Sequence, residues 1–177
     1  EKENIKYRTL ITLTLDSGMR RSEICALRWS DINLDTNTIK VDRTLKIIKG
    51  IVDESNTKTE NSKREIIVSN ATINLLKEYK EWQNDCIKSM GNSWINENRV
   101  FTNEFGGHIH PSTCAYVVRK LVKKYNLKPI CFHELRHTSA SILIHKGINP
   151  KAVSQRLGHS DISITMETYS HTSNSAM

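Results

Sequence analysis

The sequence predicts an α+β domain that is mainly helical, with a small antiparallel β-sheet in its N-terminal third. Most apolar residues recur at helical spacing, whereas residues 37–68 contain short runs in which apolar and polar residues alternate. Glycine or proline separates most of these segments, as expected where helices end and begin. The 177 residues, 37% of them hydrophobic, are enough for one globular domain with its own core.

The first elements are two helices followed by the sheet. Residues 5–15 have the spacing of a helix that Gly18 ends, and a second helix covers residues 20–28. The predicted strands are residues 38–42, 44–48 and 64–68. We expect one antiparallel sheet with residues 53–63 as a long, flexible turn, because that stretch is polar and has no periodicity.

Five more helices follow, placed by their spacing, by capping residues or by proline at the first helical position. They are residues 71–88 after Ser69 or Asn70, a helix that begins at Pro111, residues 132–146 before Gly147, a short helix from Pro150 to Leu157, and a last helix from Ser160 or Asp161 to Tyr169. Because helical spacing starts so near Glu1, we expect residues 1–177 to be a single domain taken from a longer protein.

Composition restricts the class of partner and compartment. The 26 Lys and Arg against 19 Asp and Glu give a formal charge of +7, which suits a polyanion such as nucleic acid without identifying one. The sequence has no apolar leader or membrane-length apolar run, so we expect a cytoplasmic protein with no membrane partner. Its cysteines lack the close pairs of zinc sites, and we expect four buried thiols: Cys25, Cys86, Cys114 and Cys131.

Arg20 is the first candidate for a functional charged residue. It follows Gly18 at the start of a helix, in an apolar segment where charge is not needed for solubility alone. Glu23 lies three residues on, on the same helical face, where its carboxylate can hold the guanidinium or a nearby backbone group. By itself, an arginine in this position is more often a surface residue than a catalytic one.

The segment His-Glu-Leu-Arg-His at residues 133–137 admits two interpretations, of which the first is a zinc site. H-E-x-x-H on a helix is typical of zinc metalloproteases, in which His133 and His137 would bind zinc and Glu134 would act as a base. The possible further ligands are Glu167 and His159. The extended form of the motif is absent, because positions 140 and 143 hold alanine and leucine.

The second interpretation is phosphoryl transfer. His133 and Arg136 are three residues apart and share a helical face, so both can reach one phosphate. Arg136 has a planar fork for two phosphate oxygens, and His133 can exchange a proton near neutral pH. In this interpretation His137 makes a local packing or hydrogen-bond contact.

Two further candidates lie near the C-terminal end. His159 follows the Gly158 turn, and Tyr169 comes ten residues later, near the end of the last predicted helix. A single histidine or tyrosine in such a place is usually structural. This segment, however, is too polar to need either residue for a core.

Four short segments resemble, in order and approximate spacing, the motifs of the tyrosine recombinase, or phage integrase, family. They are residues 17–31 for the first arginine motif, 57–66 for the hairpin lysine motif, 133–138 for the His-x-x-Arg motif, and 157–160 with 169–171 for the second histidine and the nucleophile. Met19 stands where the family often has leucine, and Glu134 where aspartate is frequent. Four motifs in order are far more specific than any one of them.

The resemblance implies the tyrosine recombinase catalytic fold and a site-specific recombinase, an integrase of a phage or mobile element. Such an enzyme cleaves and rejoins DNA through a 3′-phosphotyrosine intermediate. Tyr169 would be the nucleophile, with His133 assisting removal of its proton, and Lys58 would protonate the leaving 5′-oxygen. Lys63 is the alternative to Lys58, because the loop that holds both is polar and variable.

The remaining implied roles concern the scissile phosphate. Arg20, Arg136 and His159 would bind its oxygens and offset the charge of the transition state, and Glu23 would support Arg20. With these cations present, the resemblance implies no metal and no other cofactor. This agrees with a sequence that has neither a glycine-rich phosphate loop nor an acidic metal cluster.

The implied partners are a double-stranded DNA recombination site, other recombinase subunits in a tetramer on that DNA, and accessory directionality and DNA-bending proteins. N-terminal DNA-binding domains would lie upstream of Glu1. Three alternatives stay open from the sequence: the zinc peptidase, a non-catalytic DNA-binding or accessory module for which the basic charge would suffice, and a relaxation activity like that of type IB topoisomerases.

Overall fold

The structure is a computed structural model and describes residues 3–56 and 63–158. Its helices are α1 (Ile5–Ser17), α2 (Arg21–Ala26), α3 (Asn70–Met90), α4 (Pro111–Lys124), α5 (Phe132–His145) and α6 (Pro150–Leu157). Its strands are β1 (Ile32–Asn33), β2 (Thr38–Val41), β3 (Arg43–Ile48), β4 (Ile51–Asn56) and β5 (Arg64–Ile67). The predicted class, mainly helical with a minor antiparallel β component, is confirmed.

Most helix ends are those that the capping residues predict. Gly18 and Gly158 end α1 and α6 in the left-handed conformation, with φ of 66° and 68°. Ser69 caps α3 through its side chain, and Pro111 and Pro150 stand in the first turns of α4 and α6. Local sequence therefore fixes where these helices begin and end.

Two of the helix predictions differ from the structure or fall outside it. The helix expected over residues 20–28 ends at Ala26, because Leu27 and Arg28 are extended and Leu27 O accepts a hydrogen bond from Val100 N at 3.0 Å. The helix predicted from Ser160 or Asp161 to Tyr169 lies outside the described residues.

The strands form two sheets, so the prediction of one sheet is wrong. Strands β1, β2 and β5 make an antiparallel sheet in that order, with Ile39 opposite Ile66. Strands β3 and β4 make a separate antiparallel hairpin, with Leu45 opposite Glu54. The hairpin turns at Lys49 and Gly50, which both have positive φ as a two-residue turn requires.

The long turn predicted over residues 53–63 is wrong in its first part, because residues 51–56 form β4. Glu54 shows why a polar segment is extended there: its carboxylate accepts hydrogen bonds from Arg28 Nη2 at 3.0 Å and Arg99 Nη2 at 2.6 Å. Burial raises the pKa of Glu54, but the hydrogen bonds and charges of Arg99 and Arg28 lower it further, so the net shift is downward. Charge pairing thus holds the β3–β4 hairpin against Arg28 and Arg99, although β4 lacks an alternation of apolar and polar residues.

The core lies around α1, which packs between α3 and α5. Leu10 and Leu13 of α1 are fully buried, as are Leu76 and Tyr79 of α3, and the Tyr79 hydroxyl donates to Val100 O at 2.8 Å. Helix α2 packs on β3 and α4, while α6 packs on α5 and β5. This arrangement brings the starts of α2, α5 and β5 to the C-terminal end of α6.

The cysteines follow the prediction only in part. Cys25 and Cys114 are buried, with their sulfur atoms 3.7 Å apart. Cys86 is half-buried, and Cys131 is exposed because it lies at the N-terminal end of α5, on the edge of a cleft. Within residues 3–56 and 63–158, no helix combines the length and apolar character needed to cross a membrane.

Candidate active site

Arg20 lies immediately before α2 and is held by three contacts. Its backbone N–H donates to Glu23 Oε2 at 2.7 Å, and its Nη1 donates to Glu23 Oε1 at 3.0 Å. Its Nη2 donates to the carbonyl oxygen of Gly158 at 2.7 Å. The Arg20 side chain is still 35% exposed, so part of the fixed guanidinium remains open to a ligand.

Arg136, on the buried face of α5, is only 3% exposed. Its Nη1 and Nη2 donate to the carbonyl oxygens of Gly18 and Leu157, each at 2.7 Å. Burial, and then the positive charge of Arg20, lower the pKa of Arg136 to about 9, which still leaves it charged at neutral pH. The two hydrogen bonds fix the direction of this charge.

A close contact between Gly18 and Leu157 determines how the turn after α1 packs against the end of α6. A β-carbon at position 18 would stand 2.3 Å from Leu157 Cδ2, so only glycine leaves room for the buried Leu157 side chain in its present position. The positive φ of Gly18 favours glycine independently. The turn after α1 thereby places the Gly18 carbonyl oxygen where Arg136 Nη1 can donate to it. The same turn places Arg20 at the start of α2.

Three arginines converge on the end of α6. The carbonyl oxygens of consecutive residues 156, 157 and 158 accept hydrogen bonds from Arg64 Nε, Arg136 Nη2 and Arg20 Nη2, at 2.6, 2.7 and 2.7 Å. The last carbonyls of a helix have no N–H partner within it and carry partial negative charge. The end of α6 is therefore a natural acceptor for guanidinium groups.

Glu23 supplies the negative charge of this cluster and is 1% exposed. Its carboxylate is shared by Arg20 and by Arg64, whose Nη1 and Nη2 donate at 3.0 and 2.9 Å. Burial raises the pKa of Glu23, but hydrogen bonding and charge from Arg64, with the contacts of Arg20, lower it more. Glu23 is thus ionised at neutral pH and offsets part of the positive charge.

His133 lies in the first turn of α5 and lines a cleft of about 840 Å³ together with Arg20. The cleft also contains Arg21, Lys46, His110 and Ser112. Partial burial lowers the pKa of His133, as does the positive charge of His137, Arg136, Arg20 and Arg21. A neutral imidazole that can accept a proton is therefore favoured near neutral pH, next to fixed cations.

The geometry does not favour the zinc interpretation of residues 133–137. The Glu134 carboxylate accepts a hydrogen bond from the Cys131 backbone N–H, so it caps α5 instead of facing a ligand. The rings of His133 and His137 meet edge to face, with centroids 4.8 Å apart. In residues 3–56 and 63–158, no three His, Cys, Asp or Glu side chains are grouped so as to hold a metal ion. The other proposed ligands, His159 and Glu167, lie outside the described residues.

The structure thus brings together four of the predicted site residues, Arg20, Glu23, His133 and Arg136. Three other predicted site residues, Lys58, His159 and Tyr169, lie outside the described residues. The choice between Lys58 and Lys63 stays open; Lys63 is exposed and directly precedes β5. In the cleft, an anion such as a phosphodiester would meet the fixed guanidinium of Arg20 and the proton acceptor His133, close to the buried charge of Arg136.

Sequence reasoning missed Arg64 as part of the site. The local signal is weak: Arg64 stands at the start of a strand in a basic stretch, where an arginine is usually exposed. Its side chain is only 7% exposed, because it pairs with Glu23, 41 residues earlier in the chain. Only the tertiary structure, in which β5 packs on α6, shows that Arg64 contacts Glu23 and the end of α6.

Comparison with known proteins agrees with this geometry. The model of the phage integrase family matches residues 1–176. The chain belongs to this family. The resemblance to tyrosine recombinases inferred from the motifs is therefore confirmed.

Among relatives of this integrase-family chain, a tyrosine recombinase XerC-like protein of Caldanaerobacter subterraneus is 31% identical, over 94% of the chain and 46% of that protein. The ICEBs1 integrase of Bacillus subtilis is 27% identical, over 96% of the chain and 46% of that protein. The chain thus spans about half the length of the curated relatives it matches.

Solved structures show the same fold. The Tn1549 transposon integrase, in complex with circular intermediate DNA, superposes with a TM-score of 0.81 at 24% identity, covering 95% of this chain and 56% of that one. The XerH site-specific recombinase bound to difH substrate gives a TM-score of 0.70 at 20% identity, covering 95% and 45%. The architecture of residues 3–56 and 63–158 is therefore that of the tyrosine recombinases.

Proposed function

We propose that this chain is the catalytic domain of a longer site-specific recombinase that cleaves and rejoins DNA strands, for integration or excision of a phage or mobile element. The observation that carries the proposal is the pair Arg20 and Arg136. Their guanidiniums donate to adjacent carbonyls at the end of α6, and Arg20 borders the cleft that His133 lines. Two fixed cations beside a proton acceptor suit a phosphodiester in a pentavalent transition state.

In the proposed reaction the phenol of Tyr169 attacks the scissile phosphorus. Its proton passes to His133, a Tyr169 Oη–P bond forms, and the bond from phosphorus to the 5′-oxygen breaks. Lys58 gives a proton to that oxygen, so the products are a 3′-phosphotyrosine and a free 5′-hydroxyl. A 5′-hydroxyl of a second DNA strand then reverses these steps, and strands are exchanged without hydrolysis.

The site residues would divide the work by charge. Arg20 and Arg136 bind the non-bridging oxygens, His159 adds a hydrogen bond, and Glu23 holds Arg20 in place. Cationic side chains perform the electrostatic work in this scheme, so it calls for neither a metal nor another cofactor. The lowered pKa of His133 supports its role as proton acceptor.

The proposed partners are double-stranded DNA, further recombinase subunits in a tetramer that cleaves one strand per subunit, and accessory directionality and DNA-bending proteins. DNA accompanies related integrases and recombinases in their solved structures. The chain's formal charge of +7 is consistent with such a partner. We place this activity in the cytoplasm.

The test uses the full-length protein and nicked duplexes cut from the DNA that flanks its own gene. A nick next to the cleavage point makes the released strand, which carries the 5′-hydroxyl, so short that it diffuses away. The covalent intermediate therefore accumulates and runs as a shifted band on a denaturing gel. The wild type is expected to form this adduct in the presence of EDTA, and Tyr169→Phe to form none. A wild type without adduct, or an adduct with Tyr169→Phe, contradicts the proposal.

A further inference from the structure

Arg64 is a buried arginine that the proposed reaction does not use. It begins β5, its side chain is 7% exposed, and each of its three guanidinium nitrogens donates to Glu23 or to the Arg156 carbonyl oxygen. Its Nη1 and Nη2 donate to the two oxygens of Glu23 at 3.0 and 2.9 Å. This parallel pair of hydrogen bonds fixes the plane of the Glu23 carboxylate.

The same guanidinium also contacts the end of α6. Its Nε donates to the Arg156 carbonyl oxygen at 2.6 Å. At Gly158, where φ is +68°, a β-carbon would stand 3.0 Å from Arg64 Nη1 and 3.3 Å from its Cζ. Arg64 therefore packs on the backbone of the residue whose carbonyl receives Arg20.

Both groups that hold the Arg20 guanidinium are thus in contact with Arg64. One is the Glu23 carboxylate, which accepts from Arg20 Nη1, and the other is Gly158, which accepts from Arg20 Nη2. A shift of either group would turn the Arg20 guanidinium away from its present direction. Only an arginine has the planar fork that serves both at once, since a lysine is a single point charge.

We propose that Arg64 is a positioning residue, which locks Glu23 and the end of α6 to each other and thereby sets the direction of the Arg20 guanidinium. This inference rests on the proposed function, in which Arg20 binds the scissile phosphate. A purely structural arginine would affect folding and leave the rate of cleavage by folded protein unchanged. A positioning residue slows that rate, and it does so through Arg20.

The test compares Arg64→Lys with Arg156→Lys in the full-length protein. Arg156 is a matched control, because its side chain also joins α6 to α1: its Nη2 donates to the Asp16 carbonyl oxygen at 2.9 Å. Within residues 3–56 and 63–158, its side-chain contacts are with Asp16 and not with Glu23 or Gly158. Circular dichroism and thermal unfolding establish that each variant is folded at the assay temperature. DNA affinity is measured separately from the single-turnover rate of adduct formation on the nicked duplex.

For Arg64→Lys we expect DNA affinity within about twofold of wild type and an adduct rate lower by about 30-fold or more, approaching the loss seen when one transition-state donor is removed. Arg156→Lys is expected to keep the wild-type rate even where it lowers the unfolding temperature. If Arg64→Lys does not fold, Arg64→Gln, which retains donors on one side, is judged by the same criteria.

A double-mutant cycle with Arg20→Lys completes the test. Because Arg64 acts through Arg20, the double variant should be no more than about threefold slower than Arg20→Lys alone. Wild-type rate in Arg64→Lys, or a double variant whose loss is the product of the two single losses, overturns the inference. A wild type that forms no adduct would overturn the proposed function instead, so the two failures are distinguishable.

Discussion

Leu157 lies directly against the α-carbon of Gly18, so closely that a β-carbon there would stand 2.3 Å from Leu157 Cδ2. Gly18→Ala should therefore displace the buried Leu157 side chain as well as strain the left-handed turn. The strain alone costs about 1–2 kcal/mol, and the displaced Leu157 side chain adds to it. We expect a loss in unfolding free energy of about 3 kcal/mol by denaturant titration.

Gly147→Ala is the matched control for this change. Gly147 also has positive φ, 79°, but nothing lies within 4 Å of where its β-carbon would stand. Gly147→Ala should lower the unfolding free energy by about 1–2 kcal/mol, the backbone strain alone. Equal losses in the two variants would show that the contact between Gly18 and Leu157 does not restrain α6.

Glu23→Gln removes the only carboxylate that Arg20 and Arg64 share among their described contacts. Because the side chain is 1% exposed, two guanidiniums lose a buried counter-charge. We expect a loss of about 3 kcal/mol at pH 7, typical of breaking a buried ion pair. Glu78→Gln, which breaks an exposed pair with Arg8 at 3.8 Å, should cost less than about 1 kcal/mol.

The same variant makes a prediction about pH. The pKa of Glu23 is lowered in the folded state, so its stabilisation is fully present above the unfolded value of about 4.3 and is lost as pH falls through the folded pKa. The stability difference between wild type and Glu23→Gln should therefore shrink below about pH 4 and stay constant between about pH 5 and 7. A difference that does not change with acidity would show that Glu23 is not ionised in the folded protein.

His137→Gln should shift the pH dependence of adduct formation. Among the causes that lower the pKa of His133, the charge of His137 comes directly after burial. In the proposed reaction His133 must be neutral, so the rate falls as acid protonates it, with a midpoint below the ordinary value of about 6.5. Removing His137 raises the pKa of His133, and the midpoint should move up.

His145→Gln is the control for that shift, since His145 lies twelve residues along α5 from His133, about 18 Å away. Its removal should leave the pH profile in place. If His137→Gln also leaves the midpoint of the fall in rate at acidic pH unchanged, that fall is not caused by protonation of His133.

Lys58→Ala and Lys63→Ala distinguish the two candidates for the acid that protonates the leaving oxygen. Replacing the bridging 5′-oxygen with sulfur gives a leaving group that needs no proton, because a thiol has a pKa of about 8.5. The variant that lacks the acid should lose adduct formation by about 100-fold or more on the natural duplex and recover on the sulfur duplex. We expect this pattern for Lys58→Ala. The same pattern in Lys63→Ala would assign the role to Lys63.

By itself the sequence determined most helix ends, and it supplied a candidate catalytic set. Capping residues and proline placed the ends of α1, α3, α4 and α6, because the forces that end a helix act within one turn of the chain. The order of the motifs identified the family, and with it Arg20, Glu23, His133 and Arg136. The hydrogen bond from Cys131 to Glu134 is also local, and it favours capping of α5 over a zinc site.

The tertiary structure decided what depends on residues far apart in the chain. It divided the strands into two sheets. The alternation of apolar and polar residues in the sequence shows neither which strands pair nor that Glu54 contacts Arg28 and Arg99. It also buried Arg64 against Glu23, 41 residues away, and brought three arginines to successive carbonyls of α6. From its sequence alone, a charged side chain such as that of Arg64 is predicted to be exposed. Only folding supplies the carboxylate and carbonyl oxygens that make its burial favourable.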